Sequence, residues 1–180
     1  MKEFDYDGDS MVNGAVLKSF LAAFGPYVKR GEQVLIKKFG ISELKGGETD
    51  FYPLTLFLNA MDEFQKQMGR DFMRKIGREI YSNAVFPPDI DTMAKGMAMV
   101  NQAYYMNHET TPGEIGGYNW TLSSDNSGVM VCDNPYPCSF DFGIMEGLAM
   151  QLAPEAKIVH DDEKECRHKG GNTCSYTVEW

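Results

Sequence analysis

The fold is decided near the end of the chain, by FGIMEGLAMQL at Phe142–Leu152 and by CSYTVEW at Cys174–Trp180. In the first segment Ile144, Leu148 and Leu152 recur every four residues, which predicts a helix with one apolar face. In the second segment apolar and polar residues alternate, which is typical of a half-buried strand. Together the two segments predict a helix that packs beside a sheet.

Further strand signals lie on either side of that helix. Two runs, Tyr118–Leu122 and Val129–Cys132, enclose the turn residues at 125–128 and predict a hairpin. Another short strand is predicted at 156–160, between the helix and the last strand. The helix at Phe142–Leu152 is therefore inserted among the strands of one small antiparallel sheet.

Upstream of the strands the sequence pattern is helical. One continuous apolar stripe runs from Phe57 to Ile80, in which Gly69 and Gly77 are positions for a bend or a close neighbour. Another helix is predicted from Ile90 to Tyr104. Helices followed by strands predict an α+β fold, with N-terminal helices packed on a small antiparallel sheet that has an inserted helix. We expect a single domain at 11–180 after an acidic tail at 1–10.

The composition excludes several classes of protein. The 180 residues are 43% hydrophobic and 24% charged, which are values of a globular domain rather than a disordered or fibrous chain. The net charge of −9 repels phosphate, so we expect no nucleic-acid partner. No apolar run approaches the ~18 residues that a membrane span needs, and no secretion signal is visible, so a cytoplasmic location is predicted.

All four cysteines lie in the last third of the chain, at Cys132, Cys138, Cys166 and Cys174. Disulfides are rare in the cytoplasm, so clustered cysteines there indicate metal ligands or catalytic thiols. The Gly-Gly turn at 170–171 folds the chain back and brings two of them toward one ion, and Glu163 is a candidate fourth ligand. The residues leave a second interpretation open, in which the cysteines are buried small hydrophobes.

Two motifs in the last quarter of the chain resemble the 4-vinyl reductase domain: CSFDFGIMEG at Cys138–Gly147 and EKECRHKGGNTCSYTV at Glu163–Val178. This family includes the sensory domains of phenol-responsive bacterial regulators. The resemblance implies a fold that is shared with the haem-nitric-oxide sensor domains and with the subunits of the TRAPP trafficking complex.

The resemblance also implies a structural zinc ion as cofactor. In the phenol sensors three cysteines and one glutamate bind zinc, and the matching positions here are Cys138, Glu163, Cys166 and Cys174. Such a set fills the tetrahedral shell and leaves no position for a reacting water. Cys132 is an extra cysteine, and a four-cysteine site with Cys132 in place of Glu163 is the alternative.

A closed apolar cavity above the sheet is a further implication of the resemblance. The candidate ligand-binding residues are Met93, Met97 and Tyr104 on one helical face, His108 after that helix, and Tyr118, Trp120 and Phe140 in the sheet region. In phenol sensors a histidine and a tryptophan bind the ligand hydroxyl, and His108 and Trp120 are the nearest candidates. Because a methionine and aromatic stripe is also typical of an ordinary core, both interpretations remain open.

Three functions compete. The main prediction is a zinc-containing sensory domain that binds a small hydrophobic or aromatic molecule and acts through a homodimer or a signalling partner protein. One alternative is a protein-interaction scaffold of the trafficking-subunit type, which needs an exposed apolar face on the Phe57–Ile80 helix. The other is a haem-based gas sensor, for which His108 is the only candidate axial ligand and whose Tyr-x-Ser-x-Arg motif we do not find. Enzyme activity is the weakest prediction, since no phosphate-binding or catalytic-triad motif is present.

Overall fold

The computed structural model describes residues 9–111 and 113–180, so residues 1–8 of the predicted acidic tail lie outside the described residues. The described chain has the predicted α+β architecture, with helices in the first half and most strands in the second. No helix among the described residues is both long and apolar enough to span a membrane.

The N-terminal half consists mainly of helices. Its elements are β1 (Met11–Asn13), α1 (Gly14–Ala22), α2 (Val28–Phe39), β2 (Phe51–Pro53), α3 (Leu54–Met68), α4 (Arg70–Asn83) and α5 (Met93–Met106). The C-terminal half contains β3 (His108–Glu109), β4 (Tyr118–Ser124), β5 (Ser127–Cys132), α6 (Cys138–Leu152), β6 (Lys157–His160) and β7 (Cys174–Glu179). Short 3-10 turns lie at Gly25–Tyr27 and Arg167–Lys169.

Two antiparallel sheets organise the strands. The larger has the order β4-β5-β7-β6 and confirms the predicted small antiparallel sheet with its inserted helix, α6. In its register Cys132 lies opposite Cys174, and Tyr118 lies opposite Cys132 on the other side. The smaller sheet, β2-β1-β3, was not expected from the sequence because its strands have only two or three residues.

The predicted continuous helix from Phe57 to Ile80 is two helices. Gly69 separates α3 from α4 with a φ of 85°, a conformation that glycine adopts without steric cost. The apolar stripe that crosses this break is buried, as Phe57, Met61 and Ile76 are all 0% exposed. The exposed apolar face that the scaffold interpretation requires is therefore missing from these two helices, apart from the side chain of Met68.

Glycines bring α4 and α6 into direct backbone contact. A Cβ added to Gly77 would lie 2.1 Å from the Phe140 carbonyl oxygen, and one added to Gly143 would lie 2.1 Å from that of Arg74. Side chains larger than hydrogen would push the helices apart at both positions. Glu146 of α6 also accepts hydrogen bonds from Arg74, 2.6 Å from Nε to Oε2. The contact therefore fixes α6, which carries several candidate site residues.

Candidate functional site

His108 is a buried histidine at the boundary between the helical half and the strands of the second half. The residue is the first of β3, is 9% exposed and follows α5 directly. Its Nδ1 is 2.7 Å from the Tyr104 carbonyl oxygen, and its Nε2 is 2.7 Å from the Tyr136 hydroxyl. A carbonyl oxygen only accepts, so Nδ1 carries the proton and Nε2 accepts the hydrogen bond from Tyr136.

Burial determines the charge of this imidazole. Because the protonated form loses its solvation, the pKa of His108 falls from 6.5 to about 4, and the hydrogen bond to the Tyr104 carbonyl offsets only part of that effect. His108 is therefore neutral at pH 7. A neutral imidazole with Nδ1–H bound to a carbonyl oxygen presents the Nε2 lone pair in a fixed direction, which is how proteins orient histidine ligands.

An apolar cavity of about 30 Å³ lies beside His108. Its walls are Val16, Ile80, Ala84, Phe86, Val100, Ala103, Tyr104, Asn107, His108, Tyr118, Tyr136, Phe140 and Ile144. A single water needs ~10–15 Å³ on this measure, and a cavity that binds benzene has ~150 Å³. The cavity thus holds guests of about the size of water or a diatomic gas, and a larger ligand requires the walls to move.

Four of the predicted ligand-binding residues line this cavity: Tyr104, His108, Tyr118 and Phe140. Met93, Met97 and Trp120 do not belong to its walls. The two methionines are fully buried core residues, and Trp120 packs against Trp180 with ring centroids 6.2 Å apart. The ligand-binding role of the four wall residues stays a prediction.

The first turn of α6 corrects one sequence assignment. Phe140, predicted in the sheet region, is helical, because α6 begins at Cys138 rather than at Phe142. Pro137 precedes the helix, and its carbonyl oxygen accepts the Phe140 N–H at 2.9 Å. The turn directs Phe140 into the cavity wall while Asp141 is buried on its other side.

A buried polar network adjoins the cavity, and we call Tyr118, Asn134, Asp141 and Arg167 the Asp141 network. The Tyr118 hydroxyl donates to Asp141 Oδ1 at 2.7 Å, and Arg167 Nη2 donates to Asp141 Oδ2. Arg167 Nη1 donates to Asn134 Oδ1 at 2.8 Å and to the Asn134 carbonyl oxygen. Burial raises the pKa of Asp141 to about 6 although Arg167 and Tyr118 favour the carboxylate, so Asp141 is still ionised at pH 7.

The structure brings three of the predicted metal-ligating residues together. The sulfurs of Cys138, Cys166 and Cys174 all lie within 4.8 Å of one another, in the one such group found among the described residues. The sulfurs of Cys174 and Cys166 are 3.9 Å apart, and the neighbouring Cys138 thiol lowers the pKa of the Cys174 thiol. Cys132 is buried and Glu163 is exposed, and neither belongs to this group.

Neither a family model nor a curated protein sequence matches the chain. Several solved structures, in contrast, match the chain. An H-NOX protein from S. oneidensis in the Fe(II)NO ligation state is 14% identical with a TM-score of 0.69, over 93% of this chain and 98% of that one. The same S. oneidensis protein in the Fe(II) state, as a variant, gives a TM-score of 0.71 over 93% and 95% at 14% identity. An Fe(II) unliganded H-NOX protein from K. algicida gives 0.59 over 93% and 95% at 15% identity.

These similarities show that the chain has the H-NOX fold, which confirms the expected fold shared with haem-nitric-oxide sensor domains. The assignment to the 4-vinyl reductase family rests on the residues alone. The expectation of a structural zinc is wrong: the proteins that share the fold are iron proteins, and three neighbouring thiols are not in themselves evidence of zinc.

The nitrogen donor and the apolar walls of the site suit a haem, but the volume of the cavity does not. His108 offers a neutral, oriented nitrogen, and the walls are almost wholly apolar. However, a porphyrin far exceeds 30 Å³, and the walls contain no lysine or arginine to pair with its carboxylates. Residues 136–140 read Tyr-Pro-Cys-Ser-Phe, which keeps only the tyrosine of the Tyr-x-Ser-x-Arg motif.

The sequence analysis missed Tyr136. Its hydroxyl contacts His108 Nε2, and its ring stacks near Phe140 with centroids 4.9 Å apart. In the sequence, Tyr136 is marked only as the one residue that is kept from the Tyr-x-Ser-x-Arg motif. Nothing in the sequence links it to His108, because 28 residues separate the two.

Proposed function

We propose that this chain is a sensory ligand-binding domain that detects its ligand at His108, and that haem is the first candidate ligand. The observation that carries the proposal is the oriented Nε2 of a neutral, buried histidine at the wall of an apolar cavity. The H-NOX fold supports haem rather than zinc, because the fold neighbours are iron proteins. A bound haem supplies an iron that binds diatomic gases reversibly.

The residues of the chain have defined tasks in this proposal. Tyr104 fixes the direction of the imidazole through its carbonyl oxygen, 2.7 Å from Nδ1. Tyr136 occupies Nε2 until a ligand competes for it, since a nitrogen lone pair that accepts a hydrogen bond is not available for coordination. The apolar walls exclude water, which protects a reduced metal centre and strengthens polar contacts inside.

Haem titration of the purified protein tests the proposal. We expect a Soret band that saturates at one haem per chain, and we expect His108→Gly to abolish the coordinated spectrum and added imidazole to restore it. His168→Ala is the matched control, because His168 is exposed in the turn at Arg167–Lys169. Failure of the wild-type protein to bind haem, or equal binding by His108→Gly without imidazole, would refute haem as the ligand.

A small apolar molecule bound without haem is the second candidate. The absence of a cation among the cavity walls favours it, since a neutral guest needs no charged partner. Such a guest must first widen the cavity, and a ligand at a hundredfold excess over its dissociation constant adds ~2.7 kcal/mol to stability. Thermal unfolding with benzene and with phenol measures this effect. Ile144→Trp, which fills the cavity, should remove any shift, whereas Trp120→Ala should leave it unchanged.

Signalling through a homodimer or a partner protein is part of the proposal. In the C-terminal half, the segment at 162–165 and residues 168–170 of the turn after it are exposed and accessible to a partner. Light scattering with and without haem tests dimer formation. A mass that stays at one chain in both states would leave a partner protein as the route.

A further inference from the structure

The cavity and the exposed end of the sheet are connected by buried hydrogen bonds. Tyr118 belongs to both sites, because its ring forms part of the cavity wall and its hydroxyl donates to Asp141 at 2.7 Å. Tyr118 is 3% exposed and Asp141 is 0% exposed, so water does not replace this bond if it breaks.

Arg167 carries the connection onward. Its guanidinium pairs with Asp141 Oδ2 and donates to Asn134, and its own backbone N–H donates to the Cys174 sulfur at 3.3 Å. Asn134 is 0% exposed and Arg167 is 5% exposed. Every residue between the cavity wall and the backbone of residue 167 is therefore buried and joined to the next by a hydrogen bond, although Arg167 Nε itself has no partner among the described residues.

The backbone at Arg167 begins a turn that has few other supports. Lys169 N–H donates to the Cys166 carbonyl oxygen at 2.9 Å, and Gly171 N–H donates to the same oxygen at 3.0 Å. His168, Lys169 and Gly170 are exposed. The side chain and backbone N–H of Arg167 and the buried Cys166 attach this turn, residues 166–171, to the interior. On the surface, Lys169 pairs with Asp162 at 3.6 Å.

The size of the cavity makes these contacts interdependent. A cavity of about 30 Å³ admits a larger ligand only if wall side chains move. Displacement of the Tyr118 ring breaks its bond to Asp141 unless Asp141 follows, and Asp141 cannot follow without moving Arg167. A hydrogen bond to a charged group is worth about ten- to a hundredfold in an equilibrium constant, so the two positions are energetically coupled.

We infer that the Asp141 network couples occupancy of the His108 cavity to the conformation of the exposed turn at 166–171. Tyr118 acts as the positioning residue, because it is the member of the network that a ligand contacts directly. The inference rests on the proposed function in one respect only: the ligand must enter the cavity beside His108. The network itself is a property of the ligand-free chain.

Hydrogen exchange of backbone amides tests the inference in two steps. In the ligand-free protein we expect Tyr118→Phe to accelerate exchange of amides 169–171 about tenfold or more, because the hydroxyl bond that holds Asp141 and Arg167 is lost. The matched control is Tyr105→Phe, which removes a hydroxyl that donates to the Gly116 carbonyl oxygen at 2.8 Å, outside the network. Amides of β5 report whether any change is global.

The second step uses haem as the probe. Saturating haem should change exchange at 169–171 in the wild type and in Tyr105→Phe, and should leave it unchanged in Tyr118→Phe although the Soret titration shows binding. Acceleration that is equal in β5 and in the turn, or no acceleration in ligand-free Tyr118→Phe, would overturn the inference. If no Soret band forms, the proposed ligand fails, while the ligand-free comparison still decides whether the Tyr118 hydroxyl is coupled to the turn.

Discussion

Acidification should destabilise the protein through His108. The imidazole is neutral in the folded state because burial lowers its pKa to about 4, whereas it titrates near 6.5 in the unfolded chain. Below pH 6.5 the unfolded state therefore binds a proton that the folded state does not, and stability falls as the pH falls toward 4. The pKa difference corresponds to about 3 kcal/mol at 1.36 kcal/mol per pH unit.

Asp141 opposes this effect over much of the same range. Its folded pKa of about 6 lies above the ordinary 3.8, so the folded state binds its proton first and gains stability as the pH falls from 6 to 3.8. A plot of the unfolding free energy of the wild type against pH would hide both contributions, because they have opposite signs. The difference in unfolding free energy between wild type and His108→Gln at each pH does not contain the contribution of Asp141, because both proteins have that residue.

Urea unfolding at pH values from 4 to 7.5 measures that difference. We expect the stability advantage of the wild type over His108→Gln to be largest above pH 6.5 and to shrink by about 3 kcal/mol toward pH 4. NMR of the imidazole gives an independent reading, in which His108 stays neutral to below pH 5. An imidazole that titrates at 6.5 or higher would refute the argument from burial.

Three further predictions follow from the packing and from the buried charges. Arg167→Met should lower the free energy of unfolding in urea by ~3–5 kcal/mol, because it leaves Asp141 buried without its cation. The double variant Arg167→Met with Asp141→Leu should recover most of this loss. An equal loss in the single and the double variant would contradict this account. Gly143→Ala should lower the free energy of unfolding by ~1–3 kcal/mol because its Cβ meets the Arg74 carbonyl, whereas Gly96→Ala, whose Cβ meets only the ends of leucine and isoleucine side chains, should lower it less. All four thiols should resist Ellman's reagent in the native state, since Cys132, Cys138, Cys166 and Cys174 are at most 5% exposed.

The periodic signals of the sequence predicted the elements with long, regular patterns. The strands at Tyr118–Ser124, Ser127–Cys132 and Cys174–Glu179 follow from alternation, and α5 follows from its apolar stripe. The sequence predicted no more than a bend at Gly69, because the apolar spacing continues across it and a glycine within a helical pattern is compatible with either outcome. The α+β class could be predicted from the sequence because it follows from these regular elements alone.

The site was only partly predictable because its contacts join distant parts of the chain. The structure places His108, Tyr118 and Phe140 at one cavity, where Tyr136 also lies although it was not predicted there, and Trp120 lies elsewhere. The placement of Phe140 depends on how α6 begins. A start at Cys138 rather than Phe142 rotates Phe140 from a presumed strand position into the cavity wall, and no local pattern in the residues fixes that start.

The first turn of α6 also explains which parts of the site are able to move. Within four residues it contributes Cys138 to the thiol group, Phe140 to the cavity wall and Asp141 to the buried ion pair. The contact between Gly77 and Gly143 holds this helix rigidly against α4, so a ligand cannot gain space by shifting α6 without separating two backbones in contact. The side chains opposite α6 must yield instead, and among them Tyr118 is the one that is bonded to Asp141. The rigidity of the glycine contact is therefore the reason that cavity occupancy is transmitted through Tyr118 rather than through the helix.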